Sequence, residues 1–328
     1  METSTAGTAA GPTVGETGEF ELISLITRDL PRPPAVSVGV GDDAAVYLVN
    51  GSAVTSTDLL VEGVHFRRDW SSAHEIGRKA VAVNVADLEA MGAVPVAMVV
   101  AFGAPADLPL QWAREFSTGL REEAATAGIA LVGGDTTRAA QVTISVTVTG
   151  QTDALAPVLR SGARPGQVVA VRGRLGWAHA GLVALGRGFR SPRAAVDSQR
   201  CPQVAYGAGR QAVEHGAGAM VDVSDGLLAD LGHIAHASGV MIDLDPQRIP
   251  VDEPVQAVAA ATGQDPLAMV LAGGEDHALA ATFDPGRVPD GWRVLGVVRE
   301  TAQQERTGVL VGGRVWEGAA GWDHFPQR

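Results

Sequence analysis

Segments rich in β-branched residues that end on aspartates are the feature that most limits the fold of this chain. Residues 36–49 and 53–64 are of this kind and are interrupted by Gly and Asp. The later apolar run 219–221 ends at Asp222. Runs bounded by turn residues are typical of strands. The pattern predicts strands and helices in one chain, with acidic side chains at strand ends.

A helix is predicted over residues 74–91, where apolar residues recur at spacings of three and four and Gly92 can end the helix. Asp87 interrupts this apolar stripe. Residues 141–150 alternate strictly between apolar side chains and Ser or Thr, which is typical of a strand with one wetter face. The other predicted elements are strands at 94–102, 129–132 and 168–171, and helices at 110–127, near Ala178, near Val204 and at 227–237.

Length and composition predict two α+β domains. At 328 residues the chain exceeds what one hydrophobic core usually organises, and 46% of its residues are hydrophobic. The first 18 residues are small, polar and acidic, and they predict a disordered tail rather than a signal peptide. We expect an N-terminal domain at 19–152 and a C-terminal domain at 153–328.

The sequence predicts a cytoplasmic protein without a membrane segment. The longest apolar stretch, residues 93–106, is interrupted by Pro95 and Pro105 and is too short to cross a bilayer. Cys201 is the only cysteine, so the chain cannot form an internal disulfide.

The charge balance and the absence of known phosphate-binding motifs exclude several ways of binding phosphate. Asp and Glu number 37 against 25 Lys and Arg, which disfavours a nucleic-acid or anionic-membrane surface. A P-loop needs Gly-Lys-Ser/Thr, but the only lysine, Lys79, lies between Arg78 and Ala80. The protein-kinase motifs and a Rossmann glycine motif are also absent from the sequence. An acidic chain that binds phosphates therefore needs cations.

Aspartates in the first half have two interpretations. Gly41-Asp42-Asp43 and Ser56-Thr57-Asp58 follow β-rich runs, and carboxylates are ligands that Mg²⁺ prefers. The alternative for Gly-Asp-Asp is a turn whose side chain caps its own backbone. Asp87, on an apolar helix face, must reach water, a donor or a metal, and its alternative is a salt bridge to Lys79 or an arginine.

Two further motifs combine glycine with aspartate. In Gly133-Gly134-Asp135-Thr136 a glycine turn would let the backbone approach a phosphate while the carboxylate reaches a metal. In residues 222–226 a strand meets a helix, whose N-terminal N–H groups can bind a phosphate. The alternative is that Ser224 or Asp225 only caps that helix. If the aspartates converge, they need cations to stay ionised, because adjacent carboxylates raise one another's pKa; the residues concerned are Asp42, Asp43, Asp58, Asp87, Asp135, Asp222 and Asp225.

The order of these motifs resembles a known family. The chain carries, in sequence, GDDAAV, STDLLVEGVHF, KAVAVNVADLEAMGAVP, LVGGDTTR, RSGARPGQ, VDVSDGLLADLGHI, LAGGEDHAL and GWDHF. Over about residues 19–325 it is similar to thiamine-monophosphate kinase. That family shares its Gly-Asp-Asp and Gly-Gly-Asp-Thr motifs with a superfamily that includes aminoimidazole ribonucleotide synthetase and selenophosphate synthetase.

The resemblance implies a homodimer whose N-terminal domains pair as a β-barrel, with ATP between the domains and several Mg²⁺ ions. The metal ligands it implies are Asp43, Ser56, Thr57, Asp58, Asp87, Asp135, Asp222 and Asp225. The ATP contacts it implies are Gly134, Asp135, Arg160 and Ser224, among which Asp135 and Arg160 act with Asp222 in catalysis. The thiamine monophosphate contacts it implies are His65, Glu275 and Trp322.

Within this resemblance, Trp322 would stack on the cationic thiazolium ring and Glu275 would add a compensating charge. The chain departs from the usual family pattern at Ala86 and His277, and we expect neither residue to touch a proposed ligand. The implied reaction is direct transfer of the γ-phosphoryl group of ATP to thiamine monophosphate. The alternatives are another ATP-using enzyme of the superfamily and a catalytically silent nucleotide-binding regulator.

Overall fold

The computed structural model describes residues 11–28, 30–31, 33–301 and 307–322. Its first part, up to residue 151, contains α1 (Val14–Thr17), α2 (Glu19–Thr27), β1 (Val36–Val38), β2 (Val46–Tyr47), β3 (Ala53–Val61), α3 (Ala73–Ala90), β4 (Val94–Ala104), α4 (Leu110–Ala127), β5 (Ala130–Arg138) and β6 (Thr143–Gln151).

Four strands of this part form one sheet in the order β3-β6-β4-β5. Strands β3, β6 and β4 are antiparallel neighbours, whereas β4 and β5 run parallel. One face packs on α3 and α4, and alternate residues of β6 such as Ile144 and Val146 are fully buried there. The alternation predicted for residues 141–150 is therefore confirmed, since the residues between them, on the other face of β6, are Ser and Thr.

The remaining residues form a second, seven-stranded sheet. Its part of the chain contains β7 (Val168–Arg172), α5 (Trp177–Gly186), α6 (Arg193–Arg200), α7 (Ala208–Glu214), β8 (Met220–Val223), α8 (Leu227–Ser238), β9 (Met241–Leu244), α9 (Glu253–Thr262), α10 (Pro266–Ala272), β10 (Ala278–Phe283), β11 (Arg293–Arg299), β12 (Gly308–Val311) and β13 (Arg314–Val315). The strand order is β13-β12-β9-β11-β7-β10-β8, which leaves β8 at one edge.

Helix α3 is shared between the two sheets. It begins at a capping box in which Ser72 and Glu75 satisfy each other's backbone N–H groups. Most of its residues are buried, because it contacts β3 of the first sheet and β8 and β10 of the second. It ends at Met91, followed by Gly92 at φ +68°. The predicted helix at 74–91 is confirmed within one residue at each end.

Two local predictions are wrong. Gly133 and Gly134 do not form a turn but continue β5, where a register shift opposite Met98 and Val99 marks a bulge. A Cβ on Gly134 would lie 2.0 Å from the carbonyl oxygen of Val100, so the glycine is required by close strand contact rather than by a turn. No helix surrounds Val204, and α7 begins only at Ala208.

The predicted disordered tail is ordered in its described part. Thr13 caps α1 in a capping box with Glu16, and the Val14 N–H donates to the Leu108 carbonyl at 2.8 Å. These contacts join residues 13–17 to the start of α4, which sequence composition does not reveal. Residues 1–10 lie outside the described residues. Among the helices that are described, none combines the length and apolarity needed to cross a bilayer.

Glycines at the contact of α3 and α4 give a direct test of this packing. A Cβ on Gly119 would lie 2.0 Å from the His74 carbonyl oxygen, so Gly119→Ala is expected to destabilise the protein by roughly 1–3 kcal/mol through overpacking. Gly232 lies inside α8 with open space around it, so Gly232→Ala is expected to stabilise by about 0.5–1 kcal/mol. Urea unfolding of both variants measures the difference, and equal effects would contradict the close helix contact.

Candidate active site

Four of the predicted aspartates line one cavity of about 800 Å³ where α3 lies between β3 and β8. Each comes from a different place in the sequence: Asp58 from β3, Asp87 from α3, Asp222 from β8, and Asp225 from the turn before α8. The cavity is also lined by Ser224 and by all three predicted substrate residues, His65, Glu275 and Trp322.

Strand alternation places Ser56 and Asp58 towards α3. The Ser56 hydroxyl donates to Asp87 Oδ2 at 2.5 Å, and the Asp58 N–H donates to the side-chain oxygen of Asn84 at 3.0 Å. Thr57 lies between them in the strand, so its side chain is on the other face, where it donates to the Val146 carbonyl at 3.0 Å. The structure therefore brings Asp58 to the cavity and joins Ser56 to Asp87, whereas the Thr57 side chain lies on the other face.

The turn between β8 and α8 is held by an acid that the sequence analysis missed. Asp230 Oδ2 accepts the N–H groups of Asp225 and Gly226 at 3.0 and 3.1 Å. Two N–H groups at the helix start are thus already bound by Asp230, and neither Ser224 nor Asp225 caps the helix as the alternative required. Burial, together with the charge of Asp222, raises the pKa of Asp230 to about 7. Asp222 and Asp225 both line the cavity.

His277 contacts Asp222, which the sequence analysis did not expect. Its Nδ1 lies 3.1 Å from Asp222 Oδ2, and both side chains are buried. Burial alone would lower the pKa of His277, but the hydrogen bond and charge of Asp222 raise it above its usual value. His277, at which the chain departs from the family pattern, therefore contacts the predicted metal ligand Asp222.

The carboxylates of the cavity carry more negative charge than the nearby cations balance. Burial and the charge of Asp222 raise the pKa of Asp87 to about 6. Burial also raises the pKa of Asp58, and Asp222 raises it further. Lys79, the alternative partner for Asp87, donates instead to Glu275 Oε1 at 2.9 Å. Hard oxygen donors in this electrostatic setting fit Mg²⁺, which favours the ionised carboxylates.

The protein supplies only part of a metal coordination shell. Within the residues that the structure describes, no three His, Cys, Asp or Glu side chains are placed to hold a metal ion by themselves. Magnesium commonly takes one or two carboxylates and completes its octahedron with water and substrate phosphates. The donor set therefore fits Mg²⁺ that arrives with a phosphate ligand.

The three predicted substrate residues lie around the same cavity with different surroundings. His65 Nδ1 accepts the Val61 N–H at 3.0 Å, which leaves the proton of the neutral ring on Nε2. The main-chain N–H of Trp322 donates to the Asp225 carbonyl at 2.9 Å, and the residue is 60% exposed. Glu275 forms an ion pair with Lys79, and its compensating charge towards the substrate stays a prediction.

The other predicted aspartates line a second cavity of about 650 Å³ at the β5 edge. Asp43, Gly134 and Asp135 border it, together with Asp42, whose Oδ1 accepts the Asp43 N–H at 2.9 Å. The self-capping turn considered for Gly-Asp-Asp is therefore present at Asp42. The second cavity also has an apolar wall that includes Ile23, Ile26, Phe116 and Leu131.

Strand register shows how far apart the two groups are in one chain. Asp58, Val146, Val100 and Gly134 form one row across the sheet, so β3 and β5 are separated by about 14 Å, three strand spacings. Asp135 is one residue beyond this row, on the face opposite Asp58. The expected convergence of all seven aspartates is therefore wrong within a single chain.

Arg160 lies away from both groups. It is exposed in the segment between β6 and β7, and its carbonyl accepts the Ser238 hydroxyl at 3.1 Å. Its side chain borders neither of the two cavities defined by the described residues. The structure thus gives no cavity contact for the catalytic role predicted at this position.

Comparison with known proteins places this geometry in a class. Residues 41–152 match the family model described as "AIR synthase related protein, N-terminal domain". Residues 41–152 thus form a domain of the AIR-synthase-related class.

Full-length comparisons define the family within that class. The chain is 48% identical to a thiamine-monophosphate kinase of Mycobacterium tuberculosis (strain H37Rv), covering 96% of this chain and 93% of that protein. It is 41% identical to the thiamine-monophosphate kinase of Corynebacterium glutamicum, covering 90% of each. The structure of AaThiL complexed with AMPPCP and TMP matches with a TM-score of 0.76 and 33% identity, over 94% of this chain and 98% of that one. The chain belongs to the thiamine-monophosphate kinase family.

Proposed function

We propose that this protein phosphorylates thiamine monophosphate to thiamine diphosphate with ATP. The observation that carries the proposal is the single cavity in which four aspartates meet His65, Glu275 and Trp322. An acidic surface for metal-bound phosphates and a site for a cationic ring are thereby joined. The relatives named above are thiamine-monophosphate kinases, and a structural relative binds AMPPCP and TMP together.

The proposed reaction needs alignment more than proton transfer. A phosphate oxygen of thiamine monophosphate forms a bond to the γ-phosphorus of ATP as the bond to the β-bridging oxygen breaks, and ADP leaves. A phosphate monoester has a second pKa of about 6 and is largely dianionic at neutral pH, so no side chain has to act as general base. The aspartates of the cavity would hold Mg²⁺, which when bound neutralises phosphate charge.

The chain's own residues set the position of the acceptor. His65 lines the cavity, where its ring is oriented by the Val61 N–H that donates to Nδ1. Trp322 offers a large aromatic face at the cavity mouth, where a thiazolium ring can stack. Asp222 and Asp225 lie on the adjoining wall, so we place the reacting phosphates between this wall and Asp87.

Product analysis tests the proposed function. Protein, ATP, Mg²⁺ and thiamine monophosphate are expected to give thiamine diphosphate and ADP in equal amounts by chromatography. Thiamine replaces thiamine monophosphate in the control and is expected to give no phosphorylated product, because its hydroxyl would need a general base. Formation of ADP without thiamine diphosphate, or efficient use of thiamine, would contradict the proposal.

We also propose that two copies pair through their four-stranded sheets. In the described part of the chain, β3 pairs only with β6 and β5 only with β4, so both sheet edges keep unpaired backbone groups. The open face also exposes Leu59 and Val99. Joining β3 of one copy to β5 of the other closes an eight-stranded barrel and removes these edges.

This pairing accounts for the two separated groups of aspartates. The second cavity has residues from both faces of edge strand β5, such as Gly134 and Asp135, so it extends around that edge. At the joined edges, that cavity of one copy would lie beside Asp58 of the other. A triphosphate across the junction would meet Asp43 and Asp135 from one chain and the acidic cavity from its partner.

The domain limits follow from the same arrangement. The first sheet ends at Gln151 and the second begins at Val168. We propose residues 19–152 as the metal-nucleotide and pairing domain and 153–328 as the second domain. A cytoplasmic location stays a prediction from the sequence.

A further inference from the structure

The buried amine of Lys79 connects two of the residues proposed to contact thiamine monophosphate. Its Nζ lies 2.9 Å from Glu275 Oε1, 3.0 Å from the His65 carbonyl oxygen and 3.2 Å from the Gln199 carbonyl oxygen. Lys79 is 2% exposed. An ammonium group has three N–H donors, so these contacts use all of them.

The three acceptors belong to separate parts of the fold. His65 follows β3, Gln199 lies in the last turn of α6, and Glu275 lies between α10 and β10. Lys79 itself projects from α3, the helix that contacts both sheets. The amine is therefore the point at which the His65 side of the cavity is joined to its Glu275 side.

The backbone of Glu275 adds a second constraint. Its φ of +67° is in the left-handed region, which non-glycine residues rarely adopt. Its N–H donates to the Ser224 carbonyl at 2.7 Å. Glu275 is thus fixed at the main chain by the β8–α8 turn and at the side chain by Lys79.

The buried charge of Lys79 is balanced by the carboxylate of Glu275. A buried ammonium is costly to desolvate, and Glu275 is the carboxylate that compensates it. Its neighbour Arg78, by contrast, pairs with Glu123 on α4. Lys79 also lines the acidic cavity, so the pair forms part of the cavity wall.

We propose that Lys79 is a positioning residue that fixes His65 and Glu275 relative to each other and thereby sets the affinity for thiamine monophosphate. The inference rests on the proposed function. It predicts a selective effect, because the contacts of Lys79 are on the acceptor side of the cavity. The KM for thiamine monophosphate depends on Lys79, whereas the KM for ATP does not.

Steady-state kinetics of Lys79→Met test this inference. The KM for thiamine monophosphate is expected to rise by about 10-fold or more, since charged hydrogen bonds are lost, while the KM for ATP changes by less than about 2-fold. Lys79→Arg, which keeps the charge but cannot place three donors at one point, is expected to lie between wild type and Lys79→Met. Arg78→Met is the matched control and is expected to leave both KM values unchanged.

Because Lys79 is the only lysine, its amine can also be observed directly. Protein labelled with ¹⁵N-lysine is expected to give one side-chain ammonium signal that shifts on addition of thiamine monophosphate and stays in place with AMPPCP alone. This measurement uses the wild-type protein, so it decides the matter even if Lys79→Met does not fold.

Three outcomes would overturn the inference while leaving the proposed function intact. They are an unchanged KM for thiamine monophosphate in folded Lys79→Met, an equal rise in both KM values, and an ammonium signal unaffected by saturating thiamine monophosphate. Failure of the wild-type protein to make thiamine diphosphate would instead refute the proposed function itself.

Discussion

Asp222→Asn and Asp135→Asn are each expected to lower kcat by roughly 10²-fold or more while the protein stays folded, because each removes a charge proposed to hold metal-bound phosphate. Asp222 lies at the edge strand β8 in contact with His277, and Asp135 borders the second cavity. Asparagine keeps the size of both side chains. Turnover at saturating Mg²⁺ and the unfolding temperature of each variant measure the two parts of the prediction.

A matched control separates loss of charge from loss of structure. Asp245 also follows a strand of the seven-stranded sheet, but it pairs with Arg248 and lines neither described cavity. Asp245→Asn is expected to keep wild-type turnover. Mg²⁺ with AMPPCP is expected to raise the unfolding temperature of wild type and of Asp245→Asn, and to have less effect on the two site variants. Near wild-type turnover in Asp222→Asn would contradict the metal assignment.

Mixing the two inactive variants is expected to restore about a quarter of wild-type activity if the site is shared between copies. Half of the reassociated dimers then contain one chain of each kind, and one of their two sites combines an intact Asp135 with an intact Asp222. The physical reason is the separation of β3 and β5 in one chain and their proximity at a joined edge. Activity after subunit exchange, with the oligomeric state measured by light scattering, gives the result.

A reversed experiment provides the control. The double variant carrying both substitutions, mixed with wild type, is expected to give inactive mixed dimers, because each site then has one substituted aspartate. If both groups act within one chain, the mixed dimers keep one active site and the two single variants restore nothing. A monomeric protein with full activity would also refute the pairing.

Local elements of the fold were predictable because their signals are local. The spacing of apolar residues located α3 within one residue, and alternation located β6. The turn predicted at Gly133 and Gly134 is wrong because glycine is typical of turns, whereas here close contact with β4 requires glycine inside a strand. The ordered residues 13–17 show the same limit, since contacts with the distant segment before α4 hold them.

The site was predicted in its residue types more than in its geometry. Asp58, Asp87, Asp222 and Asp225 could be selected because carboxylates at strand ends or on an apolar helix face need a partner. Lys79, Asn84, Asp230 and His277 were not assigned their contacts, because hydrogen bonds between distant elements leave no spacing pattern. Lys79 had been considered only as a partner for Asp87, and His277 only as a departure from the family pattern.

The recurrent strands ending on aspartate determined the mixed fold and led to the prediction that cations are needed, since both follow from local pattern and charge. The sole lysine determined that no P-loop exists, because that loop cannot form without Gly-Lys. Tertiary structure alone decided that the aspartates form two groups, because sheet order places β3 and β5 at opposite edges. It also decided that Glu275 is paired with Lys79, because the long-range packing of α3 brings the amine of Lys79 to it.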